Sequence, residues 1–266
     1  MNPVIPGIMA AVFYLAGTWL QIKSFIDRTA KPPSLIRYLA VPAMFLHAVS
    51  LFLLMDNAAG VNLGIFIVLS LTGLILAFVV FVTSLRLPLH NLFIFAFPLA
   101  MLGLSASLLF SNEYDAAIHM DPGLLVHVLS SIFAYTLLLM AACQALILLA
   151  QARFLSTKAS IGILRLLPPL ETMEHSLFGL LKAGVALLTL SIISGFVFLE
   201  DMFAQHVVHH TALSLASWLI FLALLIGRRY LGWRGRVAIR WTLFGFVLLL
   251  VAYFGSKLVM EVIIAN

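Results

Sequence analysis

The chain has 266 residues, of which 64% are hydrophobic and 9% charged, and its mean hydropathy is +1.16. A soluble domain of this length has no interior large enough for so much apolar surface. The formal charge of +5 belongs to basic loops beside anionic lipid and calls for no nucleic acid, and the single cysteine, Cys143, excludes an intrachain disulfide and any CxxC chemistry.

Runs of about 20 apolar residues, the length that crosses a bilayer, recur through the whole sequence. They predict an all-α polytopic integral membrane helical bundle of eight transmembrane helices, near 4–22, 36–55, 62–84, 90–110, 122–150, 178–199, 211–228 and 241–263. No soluble stretch is long enough for a second domain, so residues 1–266 are read as a single integral membrane domain. The N-terminal MNPVIPGIMAAVFYLAGTWLQ lacks a basic leader region and reads as the first span rather than a cleaved signal. Between spans six and seven lies the histidine-bearing QHVVHH. Before span six, LLPPLETMEHSLF reads as a short interfacial helix that Pro168 and Pro169 start and whose N-terminal dipole Glu171 and Glu174 complement.

Eight crossings alternate the loops between two sides, and the basic residues separate accordingly. Fourteen of fifteen fall in the first, third, fifth and seventh loops or beside them, Arg228, Arg229, Arg234, Arg236 and Arg240 in the seventh. The positive-inside rule assigns that side to the cytoplasm, so both termini are expected outside, in the periplasm. The fifteenth, Lys257, lies near the outer end of span eight, placed to snorkel or to meet a carboxylate such as Asp201 or a ligand's acid group.

Polar groups at membrane depth are costly and tend to face the bundle interior. His47 falls midway along span two and His127 one turn inside the outer end of span five, while His119, His206, His209 and His210 occupy outer loops. A neutral imidazole is among the cheaper polar groups to bury and is a good ligand for haem iron or a transition metal. Two buried histidines with an outer cluster thus suggest a cofactor site near the outer face. Helix packing is the bland reading of His127 and His47, and a solvated loop that of His206 to His210. His206 and His210 would share a helical face, but HExxH's glutamate and a third ligand are missing. Small residues stripe span five at His127, Ser131, Ala134, Leu138 and Ala142, and span six at Gly184, Ser191, Ser194 and Gly195, which allows close helix approach. No GxSxG, Walker loop or intramembrane acidic pair is present, so bond-making catalysis has no support. A proton-linked transporter using the same histidines, or a scaffold packing a partner helix on the Ser131 and Ser194 stripes, remain the other classes.

Four segments resemble the cytochrome c assembly family, which includes CcsA, CcmC and HemX-like proteins: HAVSL at His47, NEYDAAIHMDPGLLVHVLSSIFAY around His127, PPLETMEHSLF with LLTLSIISG, and the final GWRGRVAIRWTLFGFVLLLVAYFGSKLV. The resemblance covers nearly the full length and implies a bacterial inner-membrane protein that handles b-type haem near the outer face. Members of the CcsA and CcmC type present haem for attachment to apocytochrome c. By position, His127 matches an outward histidine that opens a membrane helix, and His47 one within an early span. The resemblance therefore implies His127 as axial ligand of the iron, with His209 as candidate second ligand, His210 beside it in the cofactor-binding set, and His47 as a deeper ligand or structural partner. Lys257 stands where CcsA-type relatives place an outward histidine, and would meet a haem propionate. The family's tryptophan-rich outer segment falls on EDMFAQHVVHHTALSLASW, where only Trp218 is recognisable. Arg228 and Arg229 stand where some relatives carry a histidine just before GWRG. In that motif Gly232 and Gly235 would shape the inner loop, with Trp233 at the interface and Arg234 holding topology. Implied partners are membrane lipid and haem-trafficking or cytochrome assembly proteins.

Overall fold

The computed structural model describes residues 2–27, 34–57, 60–87, 89–110, 117–118, 122–156, 167–198 and 208–255. Eight helices among them are long and apolar enough to cross a membrane, so the chain is an α-helical multi-pass membrane protein. They are α1 (Val4–Ile26), α2 (Ser34–Met55), α3 (Ile65–Ser84), α4 (Phe93–Phe110, entered through the 3-10 turn His90–Leu92), α5 (Pro122–Ser156), α6 (Leu170–Phe198), α7 (Val208–Tyr230) and α8 (Arg236–Leu250), which runs into a π turn at Val251–Gly255.

Six of the helices run past at least one end of the apolar run that predicts them, whereas α3 starts three residues later, at Ile65, and the fourth span keeps its predicted bounds. The 35 residues of α5 extend about 50 Å, well past a hydrocarbon layer of about 30 Å. In α6 the segment that Pro168 and Pro169 introduce is found as the first turns of one helix continuous with span six.

Contacts group the chain into two compact units, Met1–His119 with Arg153–Pro169, and Met120–Ala152 with Leu170–Asn266. In the first, α1 packs on α2 and α4, and α3 on α4. The α3–α4 approach is backbone to backbone: a Cβ on Gly103 would lie 2.8 Å from the Leu69 carbonyl oxygen. Only glycine admits that distance, and dispersion between such close backbones is what joins helices in lipid. Pro42 and Pro98 lie inside α2 and α4. Outside the spans, β1 (Asp56–Asn57), β2 (Gly60–Asn62) and β3 (Ala117–Ile118) form a small antiparallel sheet in the order β1-β2-β3, with Asp56 opposite Val61 and Val61 opposite Ile118. Strands of two or three residues leave no alternation to read, and the sequence predicts loops there, with Asn62 already at the start of span three.

In the second unit, α7 packs on α6 and α8. The Ser217 hydroxyl donates to the Gly245 carbonyl at 2.8 Å, and the Trp218 indole N–H donates to Thr189 Oγ1 at 2.8 Å, tying α7 to α8 and to α6. Large apolar residues such as Ile193, Val197, Leu219 and Phe244 stay exposed, as expected of surfaces that lipid covers.

Candidate functional site: two histidine centres and the turn that Glu174 holds

In the first unit α2 carries His47 fully into the bundle. Its Nδ1 meets the Tyr14 hydroxyl at 3.2 Å and its Nε2 the Ser70 hydroxyl at 2.9 Å, and Tyr14 lies edge-on with ring centroids 5.7 Å apart. A neutral imidazole has one N–H and one lone pair, and both are taken by protein hydroxyls. An iron ligand needs a ring nitrogen free of such partners. Tyr14→Phe should lower stability by about 1 kcal/mol through the unpaired nitrogen it leaves, read as an earlier midpoint of detergent-driven unfolding, with no change in any bound chromophore.

In the second unit His127 sits one turn into α5 and is half-buried. Its Nδ1 lies 2.8 Å from the Ser191 carbonyl oxygen of α6. A carbonyl only accepts, so Nδ1 carries the proton, and in the neutral ring Nε2 holds the lone pair. Among the described residues nothing hydrogen-bonds to Nε2. The small-residue stripes explain how the two helices come this close. Ser131 Oγ donates to the His127 carbonyl at 2.7 Å and also lies 2.6 Å from Ser191 Oγ. Ser131 has a single proton, so Ser191 must be the donor in the second bond. The result is a clasp: the Ser191 hydroxyl donates to Ser131, Ser131 to the His127 carbonyl, and the His127 ring back to the Ser191 carbonyl. Ser194 adds a further donor to that carbonyl at 2.9 Å. The imidazole is therefore fixed in both tautomer and orientation, as metal-ligating histidines are by a carbonyl on the far nitrogen.

α7 brings His210 towards this centre. His210 lies half-buried in the first turn of α7, its ring 6.0 Å from that of Tyr253. Tyr135 of α5 makes ring contacts with Phe246, Tyr253 and Phe254 at 5.4, 6.3 and 5.3 Å, so His210 borders, through Tyr253, an aromatic cluster that reaches the helix of His127. His209, one position earlier on α7, is turned to the exposed side. Both histidines, expected in a loop, lie in the first turn of α7, with His210 on its more buried side and His209 on its exposed side. His119, Asp201, His206 and Lys257 lie outside the described residues. Among the described residues no three His, Cys, Asp or Glu side chains gather as a metal cluster would require.

At the opposite end of the same unit the GWRG turn joins α7 to α8. Gly232 and Gly235 both have positive φ, 67° and 54°, a region only glycine enters freely. Trp233 folds back on α7, its N–H donating to the Gly227 carbonyl at 3.1 Å, and its ring meets Trp241 at 5.1 Å. Glu174 of α6 holds the turn: it pairs with Arg228 at 2.7 Å and with Arg234 at 3.6 Å, and accepts the Gly235 N–H at 3.4 Å. Arg228 also lies over the Phe178 ring at 4.6 Å. In the sequence Glu174 reads as a charge favouring a helix start. Its true partners are more than 50 residues away, and only the acidic residue amid so many arginines hints at them.

With the geometry in view, comparison with known proteins is informative. The profile of the family described as Cytochrome C assembly protein matches residues 9–264. The inner membrane protein YpjD of Escherichia coli K12 is 30% identical over 258 residues, 96% of this chain and 98% of that protein. An uncharacterized 28.8 kDa protein encoded in the nifR3-like 5' region of Azospirillum brasilense is 35% identical over 147 residues, 54% of each chain. No solved structure matches significantly. A family match over nearly the whole length, on a scaffold of eight spanning helices, shows that the chain belongs to the cytochrome c assembly protein family.

Proposed function

We propose that the chain, a multi-pass protein of the bacterial inner membrane, binds b-type haem in its second unit, near the outer face, with His127 as axial ligand through Nε2 and His210 as the second ligand. The observation that carries this reading is the bond from His127 Nδ1 to the Ser191 carbonyl, which leaves the other nitrogen as an oriented lone pair. The donor set suits iron in a porphyrin: two imidazoles and no carboxylate or thiolate cluster among the described residues. The aromatic rings around Tyr135 offer the flat apolar contact that a macrocycle takes up. Bound haem would supply a redox-active iron. This chain's part is ligation and presentation to a haem-trafficking or cytochrome assembly partner, not bond-making catalysis. His47, both of whose nitrogens have hydroxyl partners, is on this reading a structural group.

The test is an absorption spectrum of the protein purified in mild detergent, oxidised and reduced, with haem quantified. A b-type signal near one haem per chain is expected. Absence of a chromophore after expression with added haem precursor would overturn the reading and leave the histidines to a proton-linked transporter. The outer placement also requires both termini in the periplasm, as the basic loops demand. Replacing the lone Cys143 with alanine and adding one cysteine at Asn2 should give labelling by a membrane-impermeant maleimide in intact spheroplasts, whereas one at Arg234 should label only after lysis.

A further inference from the structure

We propose a built site for an acidic phospholipid at the GWRG end of the second unit. A cleft of about 130 Å³ opens there between α5, α6 and α8, walled by Leu148, Ala152, Leu177 and Ile239, with Glu174 and Arg236 also lining it. The Glu174 charge is already compensated by Arg228 at 2.7 Å. Arg236 and Arg240 lie one helical turn apart on the same face of α8, both exposed, and among the described residues neither has an acidic partner. Two unpaired guanidinium groups at the end of a membrane helix attract a phosphodiester, and guanidinium geometry suits its oxygens. The cleft walls beside them are hydrocarbon, which suits an acyl chain and gives nothing to a free phosphate ion. Arg236 at the cleft, Arg240 one turn further along α8 and the apolar slot between them and α5 together select a lipid with a net negative headgroup over a zwitterionic one. The site is separate from the histidine centre and does not depend on haem being bound.

The test uses the full-length protein, delipidated in detergent and exchanged into mixed micelles of phosphatidylglycerol and phosphatidylcholine in equal amounts, with retained lipid counted by native mass spectrometry. Preference for phosphatidylglycerol should fall by roughly 30-fold in the R236Q/R240Q double variant, about fivefold for each arginine near the surface. Ala152→Phe, which fills the slot without touching charge, should also shed the retained lipid, while R229Q, an exposed arginine at the end of α7 away from the cleft lining, should keep it. Circular dichroism checks that each variant folds. Equal retention of the two lipids by the unaltered protein would overturn the proposal, as would retention unaffected by R236Q/R240Q or by Ala152→Phe. An equal fall in R229Q would overturn it in favour of diffuse surface charge.

Discussion

His127→Ala should abolish stoichiometric haem binding, with a loss in affinity of well over tenfold, while leaving the protein folded. On the proposed reading the two effects separate because the side chain would do two jobs of unequal size. Its hydrogen bond to the Ser191 carbonyl contributes about 1 kcal/mol net, and Ser194 still donates to that carbonyl when the ring is gone, so no buried acceptor is orphaned. On the proposed reading, iron would in contrast lose a ligand for which no replacement stands among the described residues. His210→Ala should keep some haem but move the reduced spectrum from six- to five-coordinate, since one axial bond remains. His209→Ala, on the exposed side of α7, should change neither content nor spectrum. Ser131→Ala breaks the clasp one bond away from the ring and should weaken haem binding by about tenfold, the usual size of an effect on the group that orients a ligand. Full haem content and an unshifted spectrum in His127→Ala would remove the ligand assignment altogether.

How much of this was legible in the sequence depends on the range of the interaction. The spans were legible because each is a local run of apolar residues, and the eight predicted runs correspond to the eight spanning helices. Their ends were not, since counting apolar residues stops at Glu171, Glu174 and His175, which α6 nevertheless includes. His127 was legible as a costly polar group on an apolar face, and so were the small stripes that let Ser131 meet Ser191. Its hydrogen-bond partner was not, because a backbone carbonyl 64 residues away leaves no trace in residue types. That His210 lies on the more buried side of α7 and His209 on the exposed side needed the rotational phase of that helix to within one residue, about 100°, which a run of apolar letters does not fix. The hydroxyl partners of His47 at separations of 33 and 23 residues were hidden for the same reason: Tyr14 and Ser70 read as ordinary span residues until α1, α2 and α3 are assembled.

Glu174→Ala should destabilise the GWRG end strongly, costing about 2 kcal/mol, between the small worth of an exposed ion pair and the 3–5 kcal/mol of a fully buried one. The side chains of Arg228 and Glu174 are 27% and 16% exposed, so water screens the pair only in part. The loss is more than Coulombic. One carboxylate binds Arg228, approaches Arg234 at 3.6 Å, and accepts the Gly235 N–H, so its removal frees the turn between α7 and α8 from α6 and leaves Arg228 a half-buried charge held only by the Phe178 ring and the Trp233 carbonyl. Removing both charges avoids that stranded cation. Glu174→Gln with Arg228→Gln should therefore be less damaging than the sum of the two single changes, with a coupling of about 1–2 kcal/mol in a double-mutant cycle, read from detergent-driven unfolding. Gly235→Ala acts through a different term, the backbone strain of placing a Cβ at φ 54°, and should cost about 1–3 kcal/mol at any salt concentration. The Glu174 effect, being electrostatic, should shrink as salt rises. Strictly additive charge variants would mean that the turn is held by its glycines and tryptophans alone, with Glu174 a bystander at the start of α6.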